Sequence, residues 1–387
     1  MTRLAGSSKL LRAMNESAAL AHLLDPGMLT RADLRRLTAL STPTISEALR
    51  RLTEAGLVTV VGHDSGRPGP NAEIYAADPD AAYAVAVSVR DVGASGTPSL
   101  AAALCDLTGE VRARFESRVD FLAADPVATL TDAVDQLLVT AGVPADRLRH
   151  VQLGVPGSYD ARTETIRLVH VPGFGRPGLV PAIAAALGTE VGVDNDVNLA
   201  AVAERRRGTG QDAEGFALLW IGQEGLGLAI DINGTLLRGT RGGAGEIGYM
   251  PVYAPDSADR KLDLQDLFGG GAILELAREH GLAGDTPAEV VAAAPAEFLE
   301  VLADRIVAGL AAVVAVLDPY LVVLAGPVAR AGGDTLLAAV NRAFLRAAPL
   351  ESSFAVTAID DDAVLLGALD AGLAAVREAL ITAIRDS

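Results

Sequence analysis

Small hydroxyls and arginines open the chemistry of this chain. Between residues 41 and 67 stand Thr42, Thr44, Ser46, Glu47, Arg50, Arg51 and Arg67. Hydroxyls at a helix start let its N-terminus approach a phosphate or a base edge, and arginines supply the charge a polyanion attracts. Far along the chain Asn195 and Asp196 stand side by side, a pair that by itself reads as a turn, because both residue types bond their own backbone. His22, His63, His150, His170 and His280 fall at no metal-like spacing. Cys105, the single cysteine, can neither form an internal disulfide nor complete a thiolate zinc site. It lies in the apolar run 100–107, where a packed core thiol is the plain reading.

The elements that must position these residues belong to a chain of 387 residues, half of them apolar, with forty glycines and nineteen prolines spread throughout. That size and composition call for a globular protein of two or three compact units. No apolar stretch reaches the ~18 residues a bilayer span requires, and the N-terminus lacks the charged-then-apolar pattern of a secretion signal. The expectation is a cytoplasmic protein without membrane contact. The formal charge of −17 is unevenly spread: residues 1–78 hold nine Lys or Arg against eight Asp or Glu, so the rest carries the acidity. A near-neutral head can touch phosphates while an acidic body stays clear of them.

The head reads as three helices and a hairpin. Leu10, Leu11, Met14, Ala18, Leu20, Leu23 and Leu24 recur with helical spacing up to the stop at Asp25-Pro26-Gly27. Thr30 and Asp33 form an acidic capping box for a second helix. Ser41 or Thr42 caps the third, with Pro43 in its first turn, Ile45, Leu49 and Leu52 inward, and Thr44, Ser46, Glu47, Arg50 and Arg51 outward. After Gly56, residues 57–61 and 72–76 read as paired strands around a glycine- and proline-rich tip that carries Arg67. The plainer alternative is a small helical subdomain packed on the body or on a protein partner. The complete order of elements favours a winged helix-turn-helix over residues 1–78, which would meet double-stranded DNA through Thr42, Thr44, Ser46, Glu47, Arg50, Arg51 and Arg67. One such head is a small reader, so a homodimer or dimer of dimers is implied.

Asp78-Pro79-Asp80 reads as the hinge into an α/β body. Strands over 83–89, 100–105 and 110–119, a helix over 125–142 and a strand over 150–155 make one β-β-β-α-β block. Strands over 216–221, 225–232 and 235–238, a helix over 303–317 and the strand 321–325 make a second. Two such blocks call for two lobes of the actin and ribonuclease-H type with a ligand cleft between them: residues 79–195, joined by a C-terminal helix over 363–387, and residues 196–362.

Four stretches in order then give a specific resemblance: Leu153-Gly154-Val155-Pro156-Gly157; Asp194-Asn195-Asp196-Val197-Asn198-Leu199-Ala200; Gly239 to Met250 around Gly245-Glu246-Ile247-Gly248-Tyr249; and Leu317-Asp318-Pro319 through Gly326. Behind a winged head, these resemble the ROK family of repressors, reading frames and sugar kinases. The resemblance implies a two-lobed sugar-kinase fold in which Asn195, Asp196 and Glu246 bond sugar hydroxyls, and in which Asp196 occupies the family's general-base position. Tyr249, Gln265 and His170 are the further candidate sugar contacts by the same resemblance. His170 precedes the loop 171–175, and an ordinary loop histidine is its alternative reading.

The chain departs from the kinase pattern in three places. Where the family has Asp-x-Gly-Gly-Thr-Lys, this chain reads Arg90-Asp91-Val92-Gly93-Ala94-Ser95-Gly96-Thr97-Pro98, without a paired glycine and with proline in place of lysine. The second phosphate loop reads Ile221-Gly222-Gln223-Glu224-Gly225, with a carboxylate where a polyphosphate would sit. Tyr249 replaces the histidine that precedes the family's zinc cysteines, and residues 250–275 hold no cysteine or histidine. The expectation is a non-enzymatic transcription regulator, a repressor, controlled by a sugar or sugar phosphate, with no cofactor and no metal. The alternatives are an ATP-dependent sugar kinase with an added head and a ligand-independent dimeric regulator.

Overall fold

The computed structural model describes the chain except residues 1, 2, 25, 26, 65–71, 91–98, 253–261, 361 and 387. Arg67 and the glycine loop 91–98 therefore lie outside the described residues.

The head contains α1 (Arg3–Leu24), β1 (Leu29–Thr30), α2 (Arg31–Thr38), α3 (Thr42–Glu54), β2 (Val58–Asp64) and β3 (Ala72–Ala77), with the three strands antiparallel in the order β1-β3-β2. Local chemistry sets the boundaries. The Thr30 hydroxyl accepts from Asp33 N at 3.2 Å, and the Asp33 carboxylate accepts from Thr30 N at 3.2 Å, closing the expected capping box. Ser41 caps α3, accepting from Thr44 N, with proline in the first turn.

The core of the head is Leu20, Leu24, Leu34, Ile45, Leu49, Leu52, Val58 and Tyr75, all buried. The inward face of α1 differs from the expected one. Leu11 and Met14 are 56% and 52% exposed, while Ala13, Ser17, Leu20 and Leu24 point inward. The reason is a second partner: the C-terminal helix also packs on α1, so the buried stripe is rotated to serve both neighbours.

The expected hinge is braced. Pro79–Ala81 forms a 3₁₀ turn capped by the Asp78 side chain, which accepts from Asp80 N at 3.0 Å. Asp78 N donates to Leu57 O, and Leu107 N donates to Pro79 O, tying the turn to both the head and the body.

The body begins with β4 (Tyr83–Arg90), β5 (Ser99–Asp106), β6 (Val111–Arg118), α4 (Pro126–Ala141), β7 (Leu148–Val155), β8 (Ser158–Asp160), β9 (Thr165–Arg167), α5 (Leu179–Leu187), β10 (Glu190–Asn195) and α6 (Asp196–Arg207). The sheet order is β10-β7-β4-β5-β6, with β4, β7 and β10 parallel and β4-β5-β6 an antiparallel meander. The second half contains β11 (Gly215–Ile221), β12 (Leu226–Ile232), β13 (Thr235–Leu236), β14 (Pro251–Val252), β15 (Leu262–Asp263), α7 (Leu264–Phe268), α8 (Gly270–Glu279), α9 (Pro287–Ala293), α10 (Ala296–Leu317), β16 (Leu321–Ala325), α11 (Gly326–Ala347), β17 (Ser353–Val356) and α12 (Ala363–Asp386). Its sheet, β13-β12-β11-β16-β17, repeats the pattern of the first: three antiparallel strands followed by two parallel additions.

Two helices bind these parts together. Along α6, Leu199 belongs to the core shared with the head, whereas Val197 and Ala201 pack with Phe216, Leu218 and Ala229 of the second lobe. Helix α12 packs on α6, β4, β5, β7 and α1. At Gly367 the two helices come so close that a Cβ would stand 1.7 Å from Leu199 O, so only glycine fits there. Leu365, Leu369, Leu373 and Val376 of α12 share one core with Leu20, Leu34 and Ile45 of the head. Full burial of one such side chain contributes roughly 1.5–3 kcal/mol. Among the described residues no helix is long and apolar enough to cross a membrane.

Candidate functional site

Strand β10 delivers Asp194 and Asn195 to the cleft between the lobes, and α6 starts at the next residue. Asn195 caps that helix. Its Oδ1 accepts from Val197 N at 2.9 Å and from Asn198 N at 3.2 Å, and its Nδ2 donates to Gly157 O at 3.3 Å. The buried Asp194 carboxylate accepts from Asn198 Nδ2 at 2.9 Å and from Arg238 Nε and Nη2 at 2.9 and 2.7 Å, a clamp from the second lobe. Asp196 is the group this frame presents. Burial pushes its carboxyl up to about 7, and the negative charge of Glu246 adds to the rise.

Glu246 comes from the loop between β13 and β14. Gly245 holds φ +91° and a Cβ there would lie 1.8 Å from Leu228 O, while its carbonyl accepts from Leu228 N at 2.9 Å. Glu246 is thereby set against the first lobe, where Ser158 Oγ donates to its Oε1 at 3.0 Å. Burial raises the Glu246 carboxyl, and the Ser158 hydrogen bond opposes the rise. Tyr249 is more than half exposed, and burial raises its hydroxyl, with Glu246 and Asp263 adding. Asn195, Asp196, Glu246 and Tyr249 are thus brought together, with Ser158 added by the structure.

Two other candidates sit differently. Gln265 Oε1 accepts from Leu226 N at 3.1 Å and its Nε2 donates to Glu224 O, so the amide holds the β11–β12 turn from behind Gly248. His170 is exposed and follows Val169, which packs against Gly157.

On α3, Thr42 and Glu47 are exposed, and Thr44 and Ser46 are half-buried. Arg50 donates to Glu47 at 2.7 and 3.0 Å and to Glu54 at 2.5 Å. Arg51 donates to Glu47 at 3.0 Å and lies 3.5 Å from Glu16. Hydrogen bonds from Arg50 and then Arg51 hold the Glu47 carboxyl down at about 2. The expected outward arginines are therefore members of an ion-pair ladder. Arg35 and Arg36 on α2, outside the residues read as candidates from the sequence, are both exposed. Arg36 lies 3.6 Å from Asp33, and Arg35 makes no ion pair with a described residue. Their signal was a basic doublet on the helix preceding α3.

The ROK family pattern matches residues 91–374. The chain belongs to the ROK family. Among curated ROK relatives, the bifunctional enzyme NanE/NanK of Brucella suis is 36% identical over 195 residues, 49% of this chain and 36% of that protein. The xylose repressor of Caldicellulosiruptor bescii is 23% identical over 65% of this chain and 62% of its own length. The chain thus spans about a third of the first relative and under two thirds of the second. A glucokinase of Halalkalibacterium halodurans is 28% identical over 62% of this chain and 80% of that enzyme. A solved ROK family transcriptional regulator, a homologue of the E. coli MLC protein, superposes with TM-score 0.75 and 19% identity over 98% of this chain and all of that one. The ROK hexokinase of Thermus thermophilus gives TM-score 0.62 and 25% identity over 76% of this chain and 99% of its own. The actin-like two-lobed fold is common to these neighbours, and regulators and kinases both stand among the relatives.

The zinc site that many ROK proteins carry does not fit these residues: Tyr249 stands at the histidine position, and the sole cysteine, Cys105, is buried in the sheet of the first lobe.

Proposed function

We propose that the chain is a sequence-specific DNA-binding transcription regulator, a repressor, whose body senses a sugar or sugar phosphate. One observation carries the reading: the head that bears α3 shares a single apolar core with α12 and with Leu199 of α6, the helix that starts at Asp196. A ligand seated on Asp196 and Glu246 bears on α6; α6 packs on α12 at Gly367, and Ser17 Oγ of α1 donates to Ile381 O of α12 at 3.4 Å. Packed elements of this kind can hold two discrete arrangements, and the ligand shifts the balance to the extent that it binds one better.

In this reading residues 1–78 are a winged helix-turn-helix, residues 79–195 with 363–387 the first lobe, and residues 196–362 the second. The head meets an operator through Thr42, Thr44, Ser46, Glu47, Arg50, Arg51 and Arg67. Asn195 orients the turn that presents Asp196, and Glu246 and Tyr249 complete the sugar contacts with His170 at the rim. Gln265 acts behind them by fixing the loop. Two heads on a homodimer would read a palindrome, and the site of action is the cytoplasm.

A non-catalytic body is supported by the turn 222–225. Gly222 N donates to Gly225 O at 2.9 Å and Leu226 N donates to Gln265, so these N–H groups are occupied where a phosphate cradle needs them open. The sugar-kinase alternative is favoured by the kinases among the relatives and by an Asp196 carboxyl raised to about 7, which suits a general base at neutral pH. Two measurements decide. Operator fragments selected from random DNA should bind the full chain and be released by one member of a sugar panel. ATP-dependent phosphorylation of that sugar at more than ~1 per second would overturn the reading.

A further inference from the structure

Two residues along β8 from Ser158, a shallow cavity of about 530 Å³, largely open to solvent, is lined by Asp160, Arg162, Thr163, Thr165, Arg167 and Arg241. Strands β8 and β9 form its first-lobe wall, with Asp160 paired to Thr165 across the hairpin. The second lobe contributes Arg241. Its neighbour Gly242, at φ +75°, lies so close to the hairpin that a Cβ would stand 2.0 Å from Tyr159 O, which fixes Arg241 against this wall.

The charge of the cavity is opposite to that of the chain. Three guanidinium groups face one carboxylate in a protein of net charge −17. Asp160 is buried and already engaged: it accepts from Arg162 N at 3.0 Å and lies 3.6 Å from Arg167 Nη2. The side chains of Arg162 and Arg241 form no ion pair with any described residue. The Thr163 and Thr165 hydroxyls, 2.7 Å apart, add donors to the same wall.

We propose that this cavity is an anion subsite of the ligand cleft, and that the effector is an anionic carbohydrate whose phosphate or carboxylate lies among Arg162, Arg167 and Arg241. The proposal rests on the sugar-sensing reading above and narrows it. Ser158 and Asp160 are two residues apart on one strand, so they share a face at a separation of ~7 Å. That is comparable to the long axis of a hexose, which places a ring on Glu246 and its anionic substituent in the cavity. Guanidinium forks suit both oxyanions. Because the cations come from both lobes, the anion would draw the lobes together, giving a charged effector a hold on cleft closure that its neutral parent lacks.

The test is calorimetric titration of the full chain with hexoses, the corresponding hexose 6-phosphates and 1-phosphates, and uronic acids. It is repeated on Arg162→Gln/Arg241→Gln, whose exposed side chains leave the core untouched. The expected result is that an anionic member binds more tightly than its neutral parent and loses ~10-fold or more in the double variant, with a shallower salt dependence, while the parent sugar changes less than ~2-fold. Preference for a phosphate or for a uronate tells which oxyanion is used. An anionic ligand that binds wild type and variant alike, or binds no better than its parent, overturns the subsite while leaving sugar sensing intact. Silence across the whole panel in wild type overturns both.

Discussion

Asp196→Asn isolates the group on which ligand binding and pH meet. Burial, with Glu246 adding, lifts this carboxyl from 3.8 to about 7. A rise of roughly 3 units corresponds to about 4 kcal/mol between the two protonation states. The folded chain holds this proton more tightly than the unfolded chain, so this group's contribution to stability is fully present below about 4 and is lost as pH rises through about 7. Asparagine keeps the shape, cannot ionise, and retains an oxygen for Val197 N, which donates to Asp196 at 2.9 Å. Water reaching the half-open cleft and the new amide's need for an acceptor cut the gain to ~1–2 kcal/mol at pH 8, with no gain at pH 4. In a chain of this size that is a rise in Tm of roughly 1–3 °C. Scanning calorimetry of both proteins at pH 4, 5, 6, 7 and 8 reads it. A gap that opens with rising pH is the predicted result. A variant whose Tm tracks wild type at every pH, or falls below it at pH 8, refutes the account of Asp196 as a carboxyl strained by burial.

Gly367→Ala places a Cβ 1.7 Å from Leu199 O, so thermal unfolding should show a loss of ~1–3 kcal/mol or more, and any surviving protein should bind operator but respond poorly to the effector. Glu47→Gln removes the carboxylate shared by Arg50 and Arg51, leaving Arg50 with Glu54 and Arg51 with Glu16, and anisotropy titrations should show tighter DNA binding with a steeper salt slope, by up to about one phosphate contact. Arg50→Ala and Arg67→Ala should each weaken operator binding several-fold, on the order of one phosphate contact, without lowering Tm. Leu20→Ala opens a cavity in the core shared by head and body, and a loss of ~2–5 kcal/mol in denaturant unfolding is expected.

Capping chemistry was legible because it is local. Thr30 with Asp33 and Ser41 before Pro43 each announce a helix start within four residues, and each forms in the structure. Asn195, whose sequence reading is a turn residue or a sugar contact, instead caps α6. Eight of the ten strands of the two large sheets were legible for the same reason, since alternation and turn residues need no distant partner; the edge strands β10 and β17 and the β8–β9 hairpin were not. The inward face of α1 was not, because Ser17 is buried by a contact with Ile381, 364 residues away. The ladder around Glu47 is visible in hindsight as i,i+3 and i,i+4 spacing, but the outward face of α3 was read for DNA before its charges were paired with each other. Gln265 was aligned as a sugar contact, and its place behind the 222–225 turn depends on how α7 docks. The cavity between β8–β9 and Arg241 joins residues of two lobes, and nothing in their spacing signals it.

The most direct test of the central claim is fluorescence anisotropy of the full chain with a selected operator duplex, titrated in the absence and presence of the sugar that stabilises the protein. The account predicts nanomolar-range binding that the ligand shifts by ~10-fold or more in wild type and by much less when Asp196 and Glu246 are both replaced by alanine. An operator affinity indifferent to a ligand that demonstrably occupies the cleft would contradict it.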